Sequence, residues 1–200
     1  MEHTANQVTL RGSLAGLPEY SHENHGRRFF RFLLEVPRLS GTVDILPVIA
    51  EDRILDSLDP SGGEMLTVSG SLRSHNLTEE NRRRLLIFVF ADSVTAEDGD
   101  PINEVILEGT VCREPSYRRT PLGREICDIM LAVPRAFRRA DYLPCIAWGS
   151  LAHRCGSLEV GDTVCLSGRL QSRIYTKQVE EGVEERVAFE VSVMSMEEEE

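Results

Sequence analysis

The second half of the sequence carries an aromatic residue in the middle of a cluster of arginines. Phe137 lies in the segment RAFRRADY, after Arg135 and before Arg138 and Arg139. Guanidinium groups pair with phosphate and stack on flat rings, and a ring in so polar a segment is exposed to water unless a ligand covers it. Aromatic residues interleaved with such cations are typical of grooves that hold the backbone and the unstacked bases of a nucleic-acid strand. A charged hairpin that is merely solvated is the alternative interpretation.

The net charge of the whole chain is opposite to that expected of a nucleic-acid binder. The 200 residues include 22 basic and 33 acidic side chains, which give a net charge of −11, whereas affinity for phosphate comes from cations. The distribution of charge reduces this conflict, because residues 103–196 have a net charge of only −1 and Glu197 to Glu200 add −4. Every basic residue except Lys177 is an arginine. The second half is therefore the better candidate for contact with phosphate.

Catalysis and metal binding are not indicated by any motif. The five cysteines contain no CxxC pair, so we expect reduced thiols packed in the core. His22 and His25 lie in the segment SHENHG without the further ligands that a zinc site needs. A glycine-rich phosphate loop and a nucleophile elbow are both absent. The sequence predicts no catalytic residue, no metal and no cofactor.

The sequence also predicts a soluble protein of the cytoplasm. No run approaches the roughly 20 apolar residues of a membrane helix. The N-terminal segment MEHTANQ lacks the basic and apolar regions of a secretory signal.

Two copies of one pattern follow each other along the chain. NQVTLRGSLAGLPEY (Asn6 to Tyr20) aligns with NEVILEGTVCREPSY (Asn103 to Tyr117) at an offset of 97 residues, and the alignment continues without a gap to Ala50 and Ala147. Seventeen of these 45 positions are identical. After a slip of one residue, GEMLTVSGSLRS aligns with GDTVCLSGRLQS. This long, regular match indicates a duplicated domain rather than a short solenoid repeat.

Apolar residues within each copy recur at every second position, which predicts β-strands. In the second copy the expected strands cover about 104–111, 125–134, 142–148, 163–174 and 186–194, and SLAHRCGSL between the third and fourth fits a short helix. Five strands with a helix at this place follow the order of an OB fold. We therefore expect an all-β protein with two tandem five-stranded OB-fold barrels. Their expected boundaries are 1–96 and 103–196, with a linker at 97–102 and an acidic tail at 197–200.

The segment NEVILEGTVCREPSYRRTPLGREICDIMLAVPRAFRR resembles the bacterial single-stranded DNA-binding protein family. That family has an Asn-x-Val-x-Leu-x-Gly strand, a Thr-Pro-x-Gly turn and a strand ending Leu-Ala-Val-x-Arg-x-Phe, which correspond here to residues 103–109, 120–123 and 131–137. CIAWGSLAHRC and GDTVCLSGRLQSRIYTK extend the likeness through the third and fourth strands. The resemblance covers about 95 residues of the second copy and, more faintly, most of the first.

The resemblance implies sequence-independent binding of single-stranded DNA in replication, recombination or repair. It implies that bases stack on Tyr142, Trp148 and Tyr175, with Phe137 as a fourth ring, although periodicity alone would also allow Tyr142 and Trp148 in a core. Stacking tolerates either sugar, so the residues do not separate DNA from RNA. The cations expected around these rings are Arg118, Arg119, Arg135, Arg138, Arg139, Arg169, Arg173 and Lys177.

The first copy has lost the stacking aromatics. Leu39, Ile45 and Glu51 stand where the second copy has Phe137, Tyr142 and Trp148, and Leu77 falls near the place of Tyr175. Cations remain at Arg27, Arg28, Arg31, Arg38 and in the run Arg82 to Arg84. The first barrel either binds a strand weakly through charge or completes the assembly as a scaffold, and we favour the scaffold.

The family resemblance also bears on assembly and partners. Relatives work with four OB folds, so a chain with two barrels is expected to form a homodimer. Replication or recombination proteins are expected partners, although the ending SVMSMEEEE lacks the Pro-Phe pair through which the family recruits them. An OB-fold interaction adaptor of a primosome or recombination complex, with weak nucleic-acid binding, is the alternative function.

Overall fold

Strands make up nearly all of the regular structure in the N-terminal half. The computed structural model describes residues 6–56, 58, 63–79, 82–179 and 182–198, and of residues 79, 82, 83, 177, 179 and 198 the backbone alone. The elements of this half are β1 (Asn6–Asn24), β2 (Arg27–Pro37), β3 (Val43–Glu51), α1 (Asp52–Leu55), β4 (Met65–Glu79) and β5 (Arg82–Ala96).

The C-terminal half repeats this order with one additional strand. Its elements are β6 (Ile102–Val111), β7 (Ser116–Arg119), β8 (Glu125–Arg135), β9 (Arg139–Trp148), α2 (Ser150–Cys155), β10 (Thr163–Val179) and β11 (Gly182–Glu198). The strand β7 was not predicted, because its four residues are all exposed and show no alternation. The strands β10 and β11 extend beyond the predicted limits, since they continue to pair up to Val179 and Gly182.

Each half closes into a five-stranded barrel. In the first, β1 pairs with both β2 and β4, so the order β1–β2–β3–β5–β4 returns to its starting strand. In the second, β6 pairs with β8 and β10, and the order β6–β8–β9–β11–β10 closes in the same way. The prediction of two tandem OB-fold barrels, each with a short helix after the third main strand, is confirmed.

Apolar residues at alternate positions fill the two barrels. Val8 and Leu10 of β1 are buried, as are their counterparts Val105 and Leu107 of β6. Side chains of a strand point alternately to its two sides, so this spacing places one side of each strand in the core. The resulting buried cluster is continuous across both halves.

Glycines allow the strands to approach one another closely at equivalent places in the two barrels. Gly70 and Gly168 lie at a register shift in the β4–β5 and β10–β11 pairs. A Cβ atom at Gly168 would collide with the backbone carbonyl of Ser192, and one at Gly70 with that of Phe90. These positions therefore require glycine because of backbone contact.

A pairing between the first strands of the two halves joins the barrels. The strands β1 and β6 run antiparallel from Asn6 opposite Leu107 to Arg11 opposite Ile102. All eleven strands consequently belong to one continuous sheet. The segment between β5 and β6 is held to β1, because Arg11 forms an ion pair with Glu97 at 3.0 Å.

A buried aspartate from each barrel also binds a serine of the other. The Ser172 backbone N–H and hydroxyl donate to Oδ1 of Asp44 at 2.8 and 2.9 Å, and Arg38 donates to both carboxylate oxygens at 2.6 and 2.7 Å. In the reciprocal contact, the Ser74 backbone N–H donates to Asp141 at 2.9 Å. Asp44 and Asp141 are 1% and 0% exposed. We call these two contacts the aspartate joints.

The C-terminal acidic run is partly included in the fold. Glu197 and Glu198 of β11 lie opposite Cys165 and Val164 of β10. The sequence predicts both glutamates in a separate tail, whereas in the structure the backbone pairing continues past the last apolar residue, Met196. Residues 199 and 200 lie outside the described residues.

The cysteines have different environments. Cys127, Cys145 and Cys155 are buried, as expected, and burial raises the pKa of the Cys145 thiol, so this thiol stays protonated. Cys112 is exposed, and for this residue the expectation of a core position is wrong, because the chain leaves β6 one residue earlier.

The two helices have four and six residues. Within the described ranges, no helix is long and apolar enough to span a membrane.

The aspartate joint at Asp44 should make stability depend on pH. Burial raises the pKa of this carboxyl, but the Arg38 and Ser172 hydrogen bonds and the Arg38 charge outweigh burial and lower it below its usual value. Its contribution is therefore complete above the pKa of the unfolded carboxyl, about 4, and is lost as the pH falls through the folded pKa. We expect Asp44→Asn to reduce the free energy of unfolding by about 2 kcal/mol at pH 7, and the difference from wild type to shrink below about pH 4.

Urea unfolding at a series of pH values measures this difference. The exposed Asp92 provides a control, and Asp92→Asn should unfold like the wild type at every pH. Equal stability of Asp44→Asn and wild type at pH 7 would contradict the assignment.

Candidate nucleic-acid interface

Phe137 lies at the tip of the β8–β9 hairpin with almost its whole side chain in water. The three-residue loop between Arg135 and Arg139 places the ring at its centre, where it is 94% exposed. Phe137 and Arg138 have positive φ angles of 61° and 56°. Such a conformation costs a residue with a side chain about 1–2 kcal/mol. The hairpin therefore holds an apolar ring outward at an energetic cost, which is typical of a binding position.

Arg138 and Arg139, which follow Phe137, are exposed. Within the described part of the chain neither has a carboxylate oxygen within 4 Å. These two guanidinium groups can therefore pair with phosphate without leaving an existing partner.

Tyr142 and Trp148 lie on the same side of β9, away from the barrel core. Asp141, Leu143 and Cys145 alternate with them and are buried, while Tyr142 and Trp148 are 45% and 41% exposed. Six residues of strand separate the two rings by about 20 Å. The half-buried Pro144 and its cross-strand neighbour Met130 fill the surface between them. The outer side of the β8–β9 hairpin is thus an apolar stripe that ends in Phe137 and is interrupted by Asp128, which pairs with Arg118.

Tyr175 lies on the long β10–β11 hairpin, apart from the other three rings along the chain. Its side chain is 37% exposed, and its strand neighbour is Arg186 of β11. The guanidinium carbon of Arg173 lies 5.9 Å from the centre of the tyrosine ring, within the range of a cation–π contact.

Four of the predicted arginines form ion pairs with carboxylates. Arg119 contacts Glu125 at 3.0 Å, and Arg173 contacts the buried Glu190 at 3.2 Å. The two other pairs are Arg118 with Asp128 and, at 3.4 Å, Arg135 with Asp141. These cations would have to share or exchange a partner in order to bind phosphate.

Two of the predicted cations stand apart from the hairpin cluster. Arg169 borders a small cavity with Asn103, Arg38 and Asp44, at the joint between the two barrels. Lys177 lies opposite Glu184 in the β10–β11 ladder, but its side chain lies outside the described residues.

The first barrel presents different residues at the equivalent positions. Its β2–β3 loop comprises residues 38–42, and a hydrogen bond from the Arg38 N–H to the Thr42 carbonyl leaves three residues at the tip. The centre of that loop is Ser40, so the assignment of Leu39 to the position of Phe137 is wrong by one residue. Gly41 has a φ of 86° and lies at the position equivalent to Arg138, whose φ of 56° is strained. The first hairpin therefore has glycine, which tolerates a positive φ, at this position, and its central Ser40 lacks the positive φ of Phe137.

The rest of the first hairpin surface carries no ring at these positions. Ile45 is 46% exposed at the place of Tyr142. Glu51, at the place of Trp148, is buried and forms an ion pair with Arg53 at 2.9 Å. Among the described residues, His, Cys, Asp and Glu side chains form no group of three that could hold a metal ion.

Comparison with known proteins relates the second half to a family of DNA-binding proteins. Residues 102–198 match the model of the single-strand binding protein family. The chain is 36% identical over 84 residues to single-stranded DNA-binding protein 1 of Staphylococcus aureus, a match that covers 38% of this chain and 50% of the relative. Single-stranded DNA-binding protein A of Bacillus subtilis is 34% identical over 84 residues, with 38% and 49% covered. The chain thus spans about half the length of the curated relatives it matches.

A solved structure resembles the whole fold. The wild-type single-stranded DNA binding protein from Thermus aquaticus superimposes with a TM-score of 0.78 at 24% sequence identity, with 98% of this chain and 93% of that chain covered. This likeness covers both barrels and supports the tandem arrangement. The residues that match the single-strand binding protein family model, 102–198, form the barrel that carries Phe137, Tyr142, Trp148 and Tyr175.

Proposed function

We propose that this chain binds single-stranded DNA without sequence preference, by base stacking and by electrostatic contact with the backbone, in replication, recombination or repair. The observation that carries the proposal is the set of four exposed rings on the second barrel, three of which lie along one hairpin surface. Phe137 is the strongest case, because a 94% exposed ring is held outward by a strained turn. The names of the relatives of this barrel support the same ligand.

Stacking explains how such a surface could bind any sequence. Every base has a flat apolar face, and stacking on an aromatic side chain contributes about 1–3 kcal/mol per base with little preference. Tyr142 and Trp148 are about 20 Å apart, so bases stacked on them would be separated by several nucleotides. The apolar stripe between these rings can contact the intervening bases.

Cations near the rings would hold the backbone. Arg138 and Arg139 are the best placed, since they are exposed beside Phe137 and have no carboxylate partner in the described part of the chain. Arg118, Arg119, Arg135 and Arg173 are proposed as secondary contacts because each is already paired. Affinity that depends on these cations should decrease as salt is added, by about 0.7 in the slope of log affinity against log salt for each phosphate contact on a single strand.

We assign the first barrel mainly to assembly. It completes the continuous sheet through β1 and contributes Asp44 and Ser74 to the aspartate joints. Two chains would together provide four barrels, which is the number that the family resemblance implies.

The intrinsic fluorescence of the protein should report base stacking directly. Trp148 is the only tryptophan, and its side chain is 41% exposed. We expect oligo(dT) to quench this emission at low salt and added salt to reverse the quenching. Matched DNA and RNA oligomers in the same titration measure the preference for the sugar. Unchanged emission at saturating oligo(dT) would remove Trp148 from the interface.

Alanine substitutions should separate the two barrels. Loss of one stacking ring in Phe137→Ala should weaken oligonucleotide binding about 5- to 150-fold, which corresponds to 1–3 kcal/mol. Leu39→Ala is the matched control, because Leu39 is equally exposed at the tip of the first hairpin. We expect its affinity to stay within about twofold of wild type in a fluorescence-anisotropy titration. Equal losses in the two variants would assign the binding to both barrels.

The proposed homodimer predicts a defined mass in solution. We expect twice the chain mass of 22.5 kDa, about 45 kDa, in sedimentation equilibrium at micromolar concentration. Monomer alone at this concentration would contradict the assembly into four barrels.

A further inference from the structure

A cleft between the two long hairpins is lined by residues of both barrels. It lies between the β4–β5 and β10–β11 hairpins and has a volume of about 830 Å³. Its N-terminal side includes Arg31, Ile49 and Arg84, and its C-terminal side includes Arg135 and Tyr175. The size is within the range of about 300–1,000 Å³ that is typical of ligand sites.

The charged side chains that line this cleft are basic, although the chain as a whole is acidic. Four arginines line it, two from each barrel: Arg31, Arg84, Arg135 and Arg186. None of the described lining residues is an aspartate or glutamate, although acidic residues outnumber basic ones 33 to 22 in the sequence. Three of these arginines pair with carboxylates outside the lining, so Arg84 supplies most of the uncompensated positive charge in the cleft. Positive charge in a concave surface attracts anions and raises their association rate.

The remaining lining residues are suited to bases. Pro47 and Ile49 of β3 contribute apolar surface on one side, and Pro144 and Tyr175 contribute it on the other. A ligand that is anionic along its backbone and apolar on its flat faces complements this combination, and an unpaired nucleic-acid strand has both properties.

Arg84 is the cation of the cleft that is most available. Arg31 is paired with Glu19 at 2.9 Å and Arg186 with Glu184 at 2.7 Å. Arg84 is exposed, and no carboxylate oxygen of the described residues lies within 4 Å of it. Arg84 lies opposite Leu77 in the β4–β5 hairpin, and Arg186 lies opposite Tyr175 in the β10–β11 hairpin. The two arginines therefore occupy equivalent positions in the two barrels.

The cleft is continuous with the surface described above. Arg135 begins the hairpin loop that carries Phe137, and Tyr175 is one of the four rings. A strand that leaves the stacking surface beside Arg135 therefore enters the cleft directly. The N-terminal barrel supplies the opposite wall at that point.

We propose that this cleft is a second contact region for single-stranded DNA, in which Arg84 of the N-terminal barrel, supported by Arg31, binds backbone phosphate. This inference rests on the proposed function and adds to it, because it gives the barrel without stacking aromatics a direct part in the strand path. The contribution of the N-terminal barrel to binding is electrostatic, whereas that of the C-terminal barrel is mainly base stacking.

Salt dependence of binding distinguishes this role from a structural one. Each phosphate contact contributes about 0.9 to the slope of log affinity against log salt on duplex DNA and about 0.7 on single strands. We expect Arg84→Ala to weaken binding of a 40-nucleotide oligo(dT) about 3- to 10-fold at low salt and to lower the slope by about 0.7. The Trp148 quenching at saturation should stay unchanged, and Arg84→Lys should restore the slope because it keeps the charge.

The control is Arg53→Ala, which removes an exposed arginine of the same barrel that does not line the cleft. It should leave both affinity and slope unchanged. The cleft contact would be overturned if Arg84→Ala and the double variant Arg31→Ala/Arg84→Ala both bound oligo(dT) with the affinity and the salt slope of the wild type. The proposed function would still stand in that case. Failure of the wild type to bind oligo(dT) would instead remove the proposed function, and with it this contact.

Discussion

The antiparallel pairing of β1 with β6 is the constraint on which the rest of the structure depends. Each of these strands is the closing strand of its own barrel and also the neighbour of the other barrel. A shift in their register would displace both barrels, because side chains of a strand change sides with every residue. The aspartate joints act against such a shift, since each buried carboxylate must meet a serine N–H of the opposite hairpin. Backbone pairing and buried charge thus specify one relative position of the barrels.

Within this nearly symmetric frame the two surfaces have diverged. The β2–β3 and β8–β9 hairpins both have three residues at the tip, yet one carries Ser40 and Gly41 where the other carries Phe137 and Arg138. The core positions, by contrast, keep their apolar character, as Val8 and Leu10 match Val105 and Leu107. Packing restricts the buried residues of both copies, whereas only ligand contact would restrict the exposed ones.

The sequence predicts the barrels well because the repeat and the two-residue periodicity can both be read from the order of residues, without knowledge of contacts between strands. The rings Tyr142 and Trp148 could be assigned to the outer surface through the family resemblance, although periodicity alone does not distinguish an exposed ring from a core ring. The cleft could not be predicted, since Arg84 and Tyr175 are nearly a hundred residues apart and meet only through the pairing of the two halves. The separate position of Arg169 and the exposure of Cys112 likewise depend on where strands end and cross. Ion pairs such as Arg173 with Glu190 require the register of two strands, which composition does not supply.

The covalent connection through Glu97, which Arg11 holds against β1, has a consequence for how such a protein can change. In an assembly of identical subunits every substitution appears in all copies, so a surface cannot be altered at one place alone. Here a substitution in one barrel leaves the other untouched, while the connection keeps the pair at a high effective concentration regardless of dilution. One barrel can therefore lose its rings, or acquire new ones, without loss of the pairing that both require.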